Sequence, residues 1–65
     1  MKRRDLMNHL RQHGCLVVRE GGKHTVVHNP TTNRTSSVPR HREIQRWMAE
    51  KICKDLGIPL PKRRR

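Results

Sequence analysis

Leu6 and Leu10 stand one helical turn apart, with Met7 beside them and His13 continuing the spacing, so residues 5–13 read as a short helix. Gly14 follows where a left-handed residue closes a helix. The pattern then changes. Leu16-Val17-Val18 is an apolar run inside residues 15–20, which predicts a strand, and Gly21-Gly22 behind it is a hairpin signal. Thr25, Val26 and Val27 favour extended backbone over residues 24–28. Asn29-Pro30-Thr31-Thr32-Asn33 has the composition of a turn. Residues 34–38 make a third strand, polar at Thr35, Ser36 and Ser37 and so wet on one face, and Pro39 ends it. From Glu43 to Leu56 the helical period returns. Ile44, Trp47, Met48, Ile52 and Leu56 fall on one stripe, which places Trp47 in the core. Glu43 suits the N-terminal end of that helix, Gly57 closes it and Pro59 prevents its restart.

The order is α-β-β-β-α, an α+β fold with three antiparallel strands and both helices on one face. Strand alternation turns His24, Val26 and His28 one way and Thr25 and Val27 the other. A chain of 65 residues is one domain at most, expected over residues 1–59, and buries only about 60% of its unfolded surface. Residues 60–65 are expected to be a disordered basic tail.

Charge narrows the choice of partner. The formal net charge is +11, which favours nucleic acid first and an acidic protein second. A membrane partner is not expected, because no long apolar amphipathic face accompanies the charge. Lys2-Arg3-Arg4 lacks the apolar segment that would make it a secretory signal, so a cytoplasmic location is expected. Cys15 and Cys53 are then expected to be reduced thiols packed as small hydrophobes.

The candidate chemistry gathers around Arg19-Glu20-Gly21-Gly22-Lys23-His24-Thr25. His24 follows the hairpin turn, where a side chain is held by the sheet yet open to solvent. An imidazole there could take the proton of a ribose 2′-hydroxyl, with Lys23, Arg19 and Arg40 as cations for the phosphate. On spacing alone, an exposed turn residue without chemistry is the favoured reading. Lys2, Arg3 and Arg4 oppose the helix dipole, which suggests that they serve a ligand or partner. His41 is either a second proton-transfer group or a residue leading into the second helix, and spacing favours the latter. His9 and His13 have a spacing that metal ligands use, but a solvated helix face explains them better. No metal site and no cofactor are expected, and there is no phosphate loop, dinucleotide fingerprint or nucleophile elbow. With Trp47 assigned to the core, base stacking is not expected either. Recognition should run through phosphates and weaken steeply with salt.

Laid in order, these segments resemble the HicA family of toxins from bacterial toxin–antitoxin modules. The resemblance spans about residues 2–59. It rests on Arg3-Arg4-Asp5-Leu6, His13-Gly14-Cys15, the glycine–histidine turn, Thr35-Ser36-Ser37-Val38-Pro39-Arg40-His41-Arg42-Glu43-Ile44 and Ile52-Cys53-Lys54-Asp55-Leu56-Gly57-Ile58-Pro59. It implies a fold like the double-stranded-RNA-binding domain and a metal-independent mRNA endonuclease that halts translation. It also implies that His24 is the catalytic histidine, and that a HicB-type antitoxin covers the histidine face. Many members carry Ser or Asn where this chain has Lys23. The rival expectation is a non-catalytic module that binds double-stranded RNA or the ribosome. A DNA-binding accessory protein is a third, and it lacks a recognition helix.

Overall fold

The computed structural model describes residues 1–61 of the chain; residues 62–65, where the basic tail was expected, lie outside the described residues. Five elements follow in the expected order: α1 (Arg3–Gln12), β1 (Leu16–Glu20), β2 (His24–Asn29), β3 (Arg34–Pro39) and α2 (Arg46–Leu56). The strands form one antiparallel sheet in the order β1-β2-β3, with β2 central.

Strand alternation sets the two faces. Thr25, Val27 and Asn29 of β2 are buried, while His24 is exposed and Val26 and His28 are half-buried. On β3, Ser36 and Val38 turn inward and Thr35 and Ser37 outward. The helices close over the inward side. Leu6 and Leu10 of α1 meet Val27, Val38, Ile44, Ala49, Ile52, Cys53 and Leu56 in a single core, with Cys15 at its edge. Each fully buried Leu, Ile or Val contributes about 1.5–3 kcal/mol by leaving water. Both cysteines are free and buried, as small core residues. Burial pushes the Cys15 thiol up, and pushes that of Cys53 up to about 11. β1 remains exposed along its length, and a bulge between Val17 and Arg19 breaks its register, a feature that blunts an edge strand.

Both helices end alike. Gly14 and Gly57 adopt φ of 84° and 72°, a conformation that costs a residue with a Cβ. The residue after each glycine donates its backbone N–H back across the last turn, Cys15 to Leu10 and Ile58 to Cys53, both at 3.0 Å. These bonds satisfy carbonyls that a helix end otherwise leaves open.

Several boundaries differ from the expectation, most of them by a single residue. α1 begins at Arg3 rather than Asp5, and β3 includes Pro39, which pairs with His24 at the strand end. α2 begins at Arg46 rather than Glu43 because residues 42–44 run alongside the N-terminal segment. Lys2 and Glu43 form a bridge, Arg3 N–H donates to Arg42 O at 2.9 Å, and Ile44 N–H donates to Met1 O at 2.7 Å. Glu43 therefore lies before the helix, and no acidic residue occupies its first turn.

The larger correction is Trp47, expected in the core and found 59% exposed. With the helix starting at Arg46, the buried positions are Ala49, Ile52, Cys53 and Leu56. Trp47 stands about 200° round the helix from Ala49. Small side chains, Ala49 and Cys53, bring the helix close to its neighbours; the indole faces away.

Candidate functional site

His24 opens β2 at the end of a three-residue loop, Gly21 to Lys23. Two backbone hydrogen bonds fix that loop. Gly21 N–H donates to His24 O at 2.8 Å, and Arg40 N–H donates to Lys23 O at 3.1 Å. Gly21 is there for closeness rather than for an unusual φ: a Cβ would lie 3.0 Å from His24 O. Gly22 has open space around it. The imidazole of His24 is exposed and has no hydrogen-bond partner among the described residues. His28, on the same face, differs: its Nδ1 lies 3.0 Å from Thr35 Oγ1.

Beneath the loop lies a polar network that sequence reasoning missed. The Arg3 guanidinium donates through Nε to Pro39 O at 3.1 Å and through Nη2 to Thr25 Oγ1 at 2.7 Å. The fully buried Thr25 hydroxyl donates onward to Glu20 Oε1 at 3.1 Å. Arg40 Nη1 donates to the same carboxylate oxygen and to Gly21 O, each at 3.1 Å. Hydrogen bonds to charged groups contribute about 1.5–3 kcal/mol each where solvent is excluded, and the exposed Arg40–Glu20 pair contributes less. The network ties α1, both sides of the hairpin and the end of β3 together directly under His24. These side-chain contacts join residues 22, 5 and 20 positions apart, so no local sequence pattern would have found them.

A groove runs from this loop between β3 and α2. Lys23, His24, Arg40 and His41 line its loop end; Trp47 and Lys51 line its helix side. The structure thus brings together four of the expected site residues: His24, Lys23, Arg40 and His41. It does not bring in the rest. Lys2, Arg3 and Arg4 lie at the start of α1, where Arg3 is committed to the network, and Arg19 pairs with Val26 across the strands. His9 of α1 and His13 just past its end lie against each other, ring centroids 4.6 Å apart, with His9 Nε2 2.8 Å from Pro59 O. Trp47 is the groove residue missed from the sequence. The available signal was the alternative stripe through Ala49 and Cys53, which leaves the indole outside.

Residues 3–58 match the family model for the HicA toxin of bacterial toxin–antitoxin systems. The chain belongs to this family. The match covers all five elements, the His24 loop and both sides of the groove. No curated protein and no solved structure matches the chain. No helix among the described residues is long and apolar enough to cross a membrane.

Proposed function

We propose that this HicA-family toxin is a cytoplasmic, metal-independent endoribonuclease that cuts mRNA and so stops translation. His24 acts as the general base. It takes the proton of a ribose 2′-hydroxyl, the 2′-oxygen bonds to the adjacent phosphorus, and the bond from phosphorus to the 5′-oxygen breaks. The departing 5′-oxygen takes up a proton, for which His41 in the same groove is the candidate donor. Lys23 and Arg40 offset the charge that builds on the phosphate oxygens. Of these, Lys23 has no ion pair among the described residues, whereas Arg40 is shared with Glu20. Lys2, Arg3, Arg4 and Arg19 act at longer range, through the potential of a +11 chain. A HicB-type antitoxin, covering the His24 face, is the partner that holds the toxin inactive.

The observation that carries this reading is His24 itself: exposed, without a hydrogen-bond partner among the described residues, and fixed by the backbone at the mouth of a cationic groove. The test is cleavage of a defined single-stranded RNA in the presence of EDTA by the wild type and by His24→Ala, with circular dichroism to confirm folding. The wild type should cut and leave 2′,3′-cyclic phosphate ends, and the variant should bind but not cut. A Mg²⁺ requirement or 3′-hydroxyl ends would sink the mechanism. Tight binding without cleavage by either protein would favour a non-catalytic RNA-binding module.

A further inference from the structure

We infer that Trp47 is a stacking platform for an unpaired base, so that the groove beside His24 takes single-stranded rather than duplex RNA. This inference rests on the reading of the chain as an RNA-cleaving toxin. Three observations converge on it. First, the indole is 59% exposed although burial of an aromatic is among the most favourable contributions a small core can have. Second, its one hydrogen-bond donor is satisfied, since Nε1–H donates to Gln45 Oε1 at 3.1 Å. That bond restrains the ring at the first turn of α2 without using its faces. Third, Trp47 lines the same groove as His24, His41 and Lys23.

The charge of the groove selects the occupant. Lys23, Arg40 and Lys51 line it against one carboxylate, Asp55, which already accepts from Lys51 Nζ and from Ser36 Oγ, each at 3.3 Å. Exposed cations beside an open aromatic face match a polyanion that also carries flat rings. That is the combination by which proteins hold single-stranded nucleic acid. The groove, about 1030 Å³, is at the upper end of the roughly 300–1,000 Å³ of small-ligand sites, so it has room for a base together with its phosphates. An RNA duplex cannot use it in the same way, because its bases are stacked on each other and its major groove is closed to side chains. A base on Trp47 would also hold the strand in register beside His24, which makes Trp47 a positioning residue rather than a source or sink of protons.

The experiment uses the full chain carrying His24→Ala, so that the RNA survives, and reads the fluorescence of the chain's single tryptophan. A single-stranded RNA oligonucleotide should quench it. Inorganic polyphosphate should compete for binding without quenching, and a duplex of the same sequence should not quench. Trp47→Ala in this background should weaken single-stranded binding about 5- to 150-fold while leaving polyphosphate binding unchanged; Trp47→Phe should recover most of the loss. Equal quenching by polyphosphate or by the duplex overturns the inference, as does unchanged RNA affinity in Trp47→Ala. The nuclease reading fails separately: quenching without cleavage by the wild type removes the nuclease and supports the platform, whereas cleavage without quenching does the reverse.

Discussion

The central strand turns back at both ends, and the two turns are built on opposite terms. At the Asn29 end, side chains turn inward and bond to the helix. Asn29 Nδ2 donates to Leu56 O at 2.8 Å, Thr32 Oγ1 donates to the same carbonyl at 2.9 Å, and Asn29 Oδ1 accepts from Thr31 N–H at 3.0 Å. Asn29 is 2% exposed, and the carbonyl it serves is one that α2 cannot satisfy internally. At the His24 end, the backbone and a network beneath it do the fixing, and the imidazole is left open. A turn whose Asn29 and Thr32 side chains are spent on the helix end stabilises the fold rather than serving a ligand. The His24 turn is held by backbone hydrogen bonds instead, and its titratable group remains exposed.

Histidines at the two ends of the strand give the largest expected contrast. His24→Ala should lower RNA cleavage by about 10²–10⁴, with the circular dichroism spectrum unchanged because the side chain is exposed. His28→Ala loses only an exposed hydrogen bond to Thr35 and should cleave within a few-fold of the wild type. Rates on one defined RNA, measured for both variants, decide the matter. Comparable losses in the two would erase the distinction between the ends.

Asn29→Ala should show the converse profile. It leaves Leu56 O with one donor instead of two and removes the acceptor for Thr31 N–H, at a cost of about 1–3 kcal/mol. For a domain this small that is a large part of the total stability, and the melting temperature should fall by roughly 4–8 °C per kcal/mol. Below the transition, the cleavage rate per folded molecule should hold. A drop in cleavage at full folding would mean that the two ends of β2 are coupled.

How legible these ends were in the sequence follows from the range of the interactions. The Gly21-Gly22 hairpin, the alternation of His24, Val26 and His28, and the glycines that end both helices are local, and local patterns survive in one dimension. The start of α2 is not local. It depends on residues 1–3 pairing with residues 42–44, forty positions away by chain. Placing the helix start at Glu43 made a stripe through Ile44 and Trp47 look continuous and sent the indole into the core. Had that been right, Trp47→Ala would cost about 3–5 kcal/mol; at an exposed position it should stay within about 0.5 kcal/mol. The Arg3–Thr25–Glu20–Arg40 network was hidden for the same reason. The sequence marks Arg3 and Arg40 only as cations for a ligand or phosphate, and does not show that both guanidiniums also have protein acceptors.

The smallest expected effect separates the two glycines of the His24 loop. Neither has a left-handed φ, so both substitutions are judged on space alone. At Gly22 an added Cβ meets nothing within 4 Å. Gly22→Ala should therefore stabilise by about 0.4–1 kcal/mol, through the freedom it removes from the unfolded chain, and cleavage should be unchanged. At Gly21 the same Cβ would lie 3.0 Å from His24 O, the carbonyl that accepts Gly21 N–H at 2.8 Å. The backbone of His24 must give by a few tenths of an ångström, which offsets the entropic gain and moves the imidazole. Since a displacement of about 1 Å can cost about 100-fold in rate, a smaller one should cost roughly three- to ten-fold. Thermal melts and cleavage rates of the two alanine variants test the pair together. If Gly22→Ala loses as much activity as Gly21→Ala, the loop works by flexing, and the view of His24 as held in place by its backbone is wrong.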